Sequence, residues 1–388
     1  MQILYASERP PFPFFLGGAA RAAHMLLVRI AAQAPHTCSA IGARNYAVSP
    51  WRFPDPDEHA ALGVCALDEA AGTLDCGYPV RLVPEFHAQL RGLLADARPD
   101  VVWTQLEGSL DILRTADALG MTGLCYVHDA EFAPDEMRAI AALNTHLIAS
   151  SGFLADKVQA ATGRRPAVIY PPAELYFDIT GDPTGDVTMV NPHAVKGLDT
   201  LLAIASRLPD VRFLLQESWK LDSRARENLD ERLAVLPNVT FAPRVSDMRE
   251  VYRRTRLLIA PSRWEEGFGM VALEAASCGI PVIASRRGGL PEAVGDGGVL
   301  IDDYTNVDRW VDVLTQVLSS PARCAEIGAR ARRHAASERF QPDALARQLL
   351  MVLSAPPQRP GALSRGLFEL GRHARRWPLV GRLLSPAR

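Results

Sequence analysis

Two glutamates spaced eight positions apart are the first candidates for chemistry. Glu274 interrupts the otherwise uncharged run from Met270 to Cys278, and Glu266 lies in the glycine-flanked loop just before that run. A lone buried carboxylate is unfavourable unless it is paired or hydrogen-bonded, so Glu274 should meet a donor. Free backbone amides at the start of a helix add donors near Glu266. Such a set of groups suits a polyhydroxylated, phosphorylated ligand, and a nucleotide sugar is one.

The elements around these glutamates are a strand, a helix and a second strand. The apolar run from Leu257 to Ala260 predicts a buried strand, the small residues from Met270 to Cys278 predict a helix, and Pro281 to Ala284 predict the next strand. A strand whose loop opens a helix is half of a βαβ unit, and parallel sheets bind ligands at the carboxyl ends of their strands. We therefore expect the ligand near Glu266.

A second candidate site lies in the segment MVNPHAVKGLD, residues 189–199. Lys196 precedes Gly197 at the start of a predicted helix, where a cation can add to the backbone amides in holding a phosphate. Lysine acts on phosphate as a compact point charge. The alternative is an ordinary solvated lysine in the first turn of a helix.

A glycine pair near the N-terminus can also approach a phosphate. Prolines hold the loop before Gly17 and Gly18 extended, and the Ala-rich segment from Ala19 predicts a helix that this turn opens. Three aromatic residues of the loop either line an acceptor pocket or anchor the loop to the core, and we predict anchoring: Phe12, Phe14 and Phe15.

The run PSRWEEGFGMVALEAASCGIPVIAS, followed by GGLPEAVGDGG, resembles the signature of the family-4 retaining glycosyltransferases. Its E-x7-E motif would be Glu266 and Glu274. The resemblance implies that the first glutamate contacts the donor sugar and the second the ribose of the nucleotide. We assign neighbouring residues of the same stretch to the donor site too: Arg263, Gly267, Phe268 and Gly269. The alternative is a buried α/β unit with a helix-capping acid.

The same resemblance bears on three other positions. It implies that the Gly17-Gly18 turn lies near the diphosphate and the acceptor, and that His128, at the end of the predicted strand CYVH, lies close to the donor sugar. Family members usually carry Arg five positions before the lysine, where this chain has Asn191. Loss of a charged donor typically costs about 1.5–3 kcal/mol. Either Arg263 or another arginine substitutes, or the enzyme is slower, or its donor differs.

The alternation of apolar runs and helical patterns continues along the chain in two series. Each series predicts a parallel sheet with helices on both faces, so the fold class is α/β. The resemblance implies that the two series are doubly wound, Rossmann-like domains facing a cleft. The resemblance supplies the name GT-B for this architecture.

The predicted domains are residues 1–170 on the acceptor side and 187–340 for the nucleotide sugar, with 171–186 as linker. Residues 341–355 form a helix that crosses back to the first domain, and residues 43–78 read as an irregular insertion.

Composition excludes several other classes. The 388 residues are 48% hydrophobic and 22% charged with a net charge of −2, which is globular and gives no indication of nucleic-acid binding. Six cysteines without C-x-x-C spacing indicate neither a disulfide framework nor a zinc site. Asp55-Pro-Asp57 reads as a turn rather than a metal motif. We expect no metal and no cofactor beyond the nucleotide-sugar co-substrate.

The ends of the chain bear on localisation. The first residues lack the features of a signal peptide, and no window of 18 apolar residues occurs, so we expect a cytoplasmic protein. Residues 356–388 carry seven Arg against one Glu, with apolar residues on one helical stripe. This tail either docks at the inner face of a membrane that carries a lipid-linked acceptor, or packs on the first domain with a solvated basic face.

These observations and the resemblance together favour a metal-independent hexosyltransferase of bacterial polysaccharide or glycolipid assembly, and the resemblance implies that it is a retaining one. It would move a sugar from a nucleoside-diphosphate sugar to an acceptor hydroxyl, with Glu266, Lys196 and His128 as its catalytic residues. Two alternatives stay open. One is a nucleotide-sugar epimerase of the same fold, and the other is a non-catalytic, glycosyltransferase-like partner, which Asn191 would fit.

Overall fold

The computed structural model describes residues 1–15, 17–44, 64–68 and 70–357. The Asp55-Pro-Asp57 turn and all but the first two residues of the basic tail lie outside the described residues. The described chain forms two separate sheets, of nine and six strands.

The first sheet has the strand order β3-β4-β5-β2-β1-β6-β7-β8-β9. From β5 to β9 all neighbouring strands are parallel. The strands are β1 Gln2–Ser7, β2 Thr37–Ala43, β3 Ala66–Asp68, β4 Thr73–Asp75, β5 Pro79–Val83, β6 Val101–Thr104, β7 Thr122–Val127, β8 Thr145–Ala149 and β9 Ala167–Val168.

The prediction of an irregular insertion over residues 43–78 is wrong in part. The segment contains β3 and β4, which pair antiparallel with each other, and β4 also pairs antiparallel with β5, so the two strands extend one edge of the sheet. Strands of three residues are too short to show a period of two in the sequence. They form because a neighbouring strand edge is available for pairing.

Helices cover both faces of the first sheet. They are α1 Gly18–Ala31, α2 Phe86–Ala97, α3 Ser109–Ala118, α4 Pro134–Ala142 and α5 Gly152–Thr162. Alternate residues of β1 enter different cores, since Ile3 and Tyr5 pack with α1 while Leu4 and Ala6 pack with α2 and α3. A strand buried on both faces is what a doubly wound parallel sheet requires.

The second sheet is wholly parallel, with the order β12-β11-β10-β13-β14-β15. This is the Rossmann order 3-2-1-4-5-6. Its strands are β10 Asp186–Val190, β11 Phe213–Gln216, β12 Val239–Ala242, β13 Thr255–Ala260, β14 Val282–Ser285 and β15 Gly298–Ile301. Leu257 and Ile259 of β13 share a core with Trp310, whereas Leu258 between them packs in the core on the other face.

The helices of this half are α6 Leu198–Arg207, α7 Ser223–Leu233, α8 Arg249–Arg253, α9 Met270–Ser277, α10 Leu290–Val294, α11 Val307–Leu318 and α12 Pro321–Ala335. Three short 3-10 turns accompany them, Ala194–Lys196, Gly295–Gly297 and Glu338–Phe340.

The last described helix, α13 Pro342–Ser354, belongs to the first sheet rather than the second. Leu345 and Leu349 share a core with Ile30 of α1. The side-chain amide of Gln348 donates to the carbonyl of Val168 at 3.0 Å. The chain thus leaves the first sheet at residue 169, builds the second, and returns.

This topology fixes where a ligand can bind. The strand order reverses beside β1 and β6 in the first sheet and beside β10 and β13 in the second. Gln105 follows β6, Asn191 follows β10, and Pro261 follows β13. Ligands of doubly wound sheets bind at such carboxyl ends. No helix in the described part of the chain is long and apolar enough to cross a membrane.

Candidate functional site

Lys196 and Glu266, predicted from separate segments, form an ion pair. Lys196 ends the 3-10 turn after β10, Glu266 lies in the loop after β13, and Nζ is 2.7 Å from both carboxylate oxygens. The two side chains are only 15% and 16% exposed. Ser262 Oγ also donates to Glu266 Oε1 at 2.9 Å. A ligand phosphate at Lys196 would therefore share the ammonium group with the Glu266 carboxylate or displace that carboxylate.

The loops that carry this pair are tied through their backbones. The amides of Arg263 and Trp264 both donate to the carbonyl of Val195 at 2.9 Å. A β-carbon on Gly197 would lie 1.9 Å from the carbonyl oxygen of Pro261, and its φ is +89°. Only glycine fits this close, left-handed position. Arg263 is exposed, and its carbonyl accepts from Arg287 Nε at 2.8 Å.

Asn191 serves a different purpose from the arginine expected at its position. Its φ is +65°, a left-handed conformation that asparagine adopts more readily than arginine. It is 8% exposed, and its Oδ1 accepts from the backbone amide of Trp219 at 3.2 Å. The Trp219 ring in turn lies 5.0 Å from Lys196 Nζ, within cation–π range. Asn191 thus orders the loop after β11.

Glu274 has the donor that its burial requires. Tyr252 Oη donates to Glu274 Oε2 at 2.7 Å, and Glu274 is 9% exposed within α9. Burial raises the pKa of Glu274 to about 7, and the hydrogen bond from Tyr252 opposes that rise. Near neutral pH this carboxyl group is therefore close to its protonation midpoint.

The loop that carries Glu266 lies tightly between two backbones. A β-carbon on Gly267 would be 1.9 Å from the carbonyl oxygen of His128 in the first sheet. On the other side, the amide of Gly289 donates to the carbonyl of Glu266 at 2.7 Å. Gly269 directly precedes α9 and has a φ of +102°. These glycines let the loop approach both halves of the molecule.

One aromatic residue of this loop is buried. The Phe268 side chain is 3% exposed and packs against the rings of Tyr170 and Phe340 at 5.1 and 5.9 Å. Burial of so large an apolar ring anchors the loop to the core. The assignment of Phe268 to the donor site stays a prediction.

His128 is held by two consecutive hydrogen bonds that the sequence did not reveal. Its Nε2 lies 3.0 Å from Gln105 Oε1, and Gln105 Nε2 donates to the carbonyl of Ala19 at 2.8 Å. Because the amide nitrogen of Gln105 serves Ala19, its oxygen accepts, which assigns the proton of His128 to Nε2. Burial lowers the pKa of His128 to about 3, so the ring is neutral at physiological pH.

The Gly17-Gly18 turn lies close to the second sheet's helices. Gly17 precedes the first turn of α1, and a β-carbon on Gly18 would lie 3.5 Å from Met270 Sδ, at the start of α9. The predicted anchoring is confirmed for two phenylalanines of the preceding loop, since Phe12 is 4% and Phe14 3% exposed. The structure thus places the turn beside the helix that carries Glu274.

Two further contacts join the halves beside the site. Glu292 of α10 accepts from the amides of Gly152 and Phe153, at the start of α5, at 2.8 and 2.9 Å, and from Tyr170 Oη at 3.1 Å. Lys157 Nζ lies 2.5 Å from Glu265 Oε2. Within the described ranges no three His, Cys, Asp or Glu side chains cluster in a way that could hold a metal ion.

Comparison with curated proteins points to one family for the second half. Residues 191–334 match the family model described as glycosyl transferases group 1. The D-inositol 3-phosphate glycosyltransferase of Segniliparus rotundus is 36% identical over 203 residues, which are 50% of this chain and 44% of that protein. The enzyme of the same name from Mycolicibacterium smegmatis is 39% identical over 132 residues, 32% of this chain and 30% of that protein. The chain thus spans less than half the length of these relatives.

Solved structures are similar over nearly the whole chain. Anabaena Alr3699/HepE in complex with UDP has a TM-score of 0.71 at 17% identity and covers 91% of this chain and 100% of its own. WaaG, a glycosyltransferase involved in lipopolysaccharide biosynthesis, has a TM-score of 0.66 at 16% identity, with coverage of 91% and 100%. The chain therefore has the GT-B fold predicted for it, and its residues 191–334 match the group 1 glycosyl transferases.

Proposed function

We propose that this chain is a family-4 retaining glycosyltransferase that moves a sugar from a nucleoside-diphosphate sugar to an acceptor hydroxyl. The observation that carries the proposal is the Lys196–Glu266 ion pair at the carboxyl edge of the second sheet. A cation for phosphate and a carboxylate for hydroxyl groups meet there in one half-buried place. The group 1 match over residues 191–334 and the UDP and UDP-glucose complexes of the similar Alr3699/HepE support it.

The chemistry follows from the leaving group. When the bond from the sugar to the diphosphate breaks, negative charge develops on the β-phosphate, and preorganised donors stabilise that charge best. Lys196 and the amides of the Gly17-Gly18 turn are the donors we assign to it. Phosphate binding draws Lys196 toward the ligand, which frees Glu266 to accept from sugar hydroxyls. The family resemblance implies retention by a front-side route, and we assign no protein nucleophile.

His128 acts here as a hydrogen-bonding contact. With its proton on Nε2 engaged by Gln105, its Nδ1 lone pair is left to accept from a sugar hydroxyl. A ring whose pKa is about 3 cannot donate a proton as an acid near neutral pH. We assign Glu274 to the ribose hydroxyls, where its carboxylate would accept hydrogen bonds.

For the acceptor and the pathway we propose chemical classes rather than single compounds. The relatives named for D-inositol 3-phosphate match this chain over less than half their length, so inositol phosphate is one acceptor to test among several. We propose a role in bacterial polysaccharide or glycolipid assembly without a divalent metal. Contact of the basic tail with a membrane that carries the acceptor remains part of this proposal.

Turnover across a donor panel tests the function. The full chain is incubated with UDP-, GDP-, ADP- and dTDP-sugars and an acceptor panel, with and without EDTA, and nucleoside-diphosphate release is measured. We expect release with one nucleotide series, insensitive to EDTA, and a product of retained anomeric configuration by NMR. Conversion of the donor without acceptor would instead indicate an epimerase, and binding without turnover a non-catalytic partner.

A further inference from the structure

Trp219 is exposed beside the candidate site. It follows β11 at the carboxyl edge of the second sheet and is 49% exposed. Of the three large hydrophobic side chains that stay exposed in the described chain, it is the one aromatic, beside Val235 and Met351. An exposed aromatic face next to a ligand site is informative, because scattered apolar residues elsewhere need no explanation.

Hydrogen bonds within and to its loop fix the position of Trp219. The Trp219 amide donates to Asn191 Oδ1 at 3.2 Å, and the amide of Leu221, two residues later, donates to Glu217 Oε1 at 3.0 Å. Both acceptors are side chains that replace missing backbone partners, as in other ordered turns. Asn191 can do this from a left-handed conformation that would strain an arginine. The unexpected Asn191 is thereby accounted for.

Three groups of different chemistry lie together at this edge. Lys196 Nζ is 2.7 Å from Glu266 Oε1 and 5.0 Å from the centroid of the Trp219 ring. A ligand bound here can meet a hydroxyl acceptor, a cation and a flat aromatic face. A nucleoside-diphosphate sugar carries a group for each of them: a sugar, a diphosphate and a nucleobase. A sugar ring could also stack on indole, but Glu266 is the group that suits its hydroxyls, which leaves the aromatic face for the base.

From these neighbouring groups we infer that Trp219 is the stacking platform for the nucleobase of the donor, and that Asn191 is the residue that positions it. The inference rests on the proposed function, because it takes the ligand to be a nucleoside-diphosphate sugar. Base–aromatic stacking tolerates any base, so this contact strengthens binding without selecting uridine over guanosine.

Calorimetry on the full chain tests the platform. The ligands are UDP, GDP, ADP and dTDP, with inorganic diphosphate and ribose 5-phosphate as ligands that lack a base. Replacing the ring by Trp219→Leu should weaken binding of the preferred nucleoside diphosphate about 10-fold and leave diphosphate binding unchanged. The matched variant Trp219→Phe, which keeps an aromatic face, should stay within about 3-fold of wild type.

Variants at Asn191 test the side-chain oxygen separately from the left-handed backbone conformation. Asn191→Gly keeps the left-handed conformation and removes Oδ1, so it should weaken nucleoside-diphosphate binding about 5-fold. Asn191→Asp keeps the acceptor and should order the loop as wild type does.

Tryptophan fluorescence of wild type should be quenched by nucleotide, and Trp219→Phe should lose that quenching.

The outcomes distinguish this inference from the proposed function. If wild type binds none of the four nucleoside diphosphates, the proposed function and the platform are both overturned. If wild type binds one of them and Trp219→Leu binds it equally well, only the platform is overturned. An equal loss of nucleotide and inorganic diphosphate in Trp219→Leu would also overturn it, because the ring would then act through Lys196 alone.

Discussion

Glu292 accepts a hydrogen bond from the amide of Gly152 at 2.8 Å, across the boundary between the two sheets. Its other oxygen accepts from the next amide, at 2.9 Å, so a carboxylate of one half caps a helix of the other. Free amides and the helix dipole both favour a negative charge there.

Removing this cap should loosen the contact between the halves. We expect Glu292→Ala to lower the free energy of unfolding by about 1–2 kcal/mol, because two amides of α5 lose their acceptor. Glu292→Gln keeps one oxygen and should lose about half as much. Urea denaturation measures both, with Glu326→Ala, in an exposed pair, as the control. Equal stability of wild type and Glu292→Ala would show that the cap contributes nothing.

Mutations of the Lys196–Glu266 pair should be strongly non-additive. Lys196→Ala should reduce kcat about 100-fold, since the developing charge on the diphosphate loses its cation. Glu266→Ala should also reduce turnover, and more than it weakens nucleotide binding. Because each residue acts through the other, the double variant should lose less than the product of the two single losses. Steady-state kinetics on all three, beside the exposed control Arg309→Ala, measures this; a normal kcat in Lys196→Ala rules the diphosphate role out.

Glu274 should make stability depend on pH in one direction. Its pKa is 4.5 in a model peptide and about 7 in the fold, so the unfolded chain releases this proton first as the pH rises. Below pH 4.5 the shifted pKa therefore does not affect the free energy of unfolding. As the pH rises from 4.5 to about 7, the free energy of unfolding falls, on the order of 3 kcal/mol in all. Glu274→Gln removes the titration.

Relative to wild type, Glu274→Gln should become more stable between pH 5 and pH 7 and stay so above. Denaturation curves at several pH values compare the two proteins, and a difference that does not change with pH would contradict the shifted pKa.

The variant Glu274→Ala should weaken nucleotide binding, as calorimetry can show, because the ribose hydroxyls lose an acceptor. Unchanged affinity would refute the ribose assignment.

Gln105 should control the tautomer of His128. In Gln105→Leu the acceptor for Nε2–H disappears, so we expect mixed tautomers in the ring's nitrogen NMR spectrum and a loss in kcat/KM of about 10-fold. The pH–rate profile of wild type should show no titration of His128 between pH 5 and pH 8, because burial lowers its pKa to about 3. A single, unchanged tautomer in Gln105→Leu would show that Gln105 does not position the ring.

Local patterns in the sequence were enough for most of the regular structure. The strand predicted over Leu257–Ala260 is found within β13, and the helix predicted over Met270–Cys278 is found as α9, because periodicity and flanking turn residues act over a few positions. The same reasoning placed Lys196 at the start of one helix and Glu266 in the loop before another. Because both loops follow strands of one parallel sheet, its common edge brings the two side chains together.

Partners from distant segments could not be predicted in this way. The donors and acceptors that meet the site residues come from unrelated parts of the chain: Tyr252 for Glu274, Gln105 for His128, and Trp219 for Asn191. A glutamine at the end of a buried strand was a signal for one of them, but nothing local indicates which side chain it meets. Asn191 looked like a missing charge because its left-handed backbone is invisible in the sequence.

The return of α13 to the first sheet affects how the chain can be made. Ile30 and Leu349 belong to one core although nearly the whole chain separates them. On a ribosome, the second sheet can close as soon as its own strands emerge, whereas the first must wait for α13 to cover the apolar face of α1. The earliest-synthesised half is therefore the last to be completed, and during that wait it is the half most exposed to aggregation.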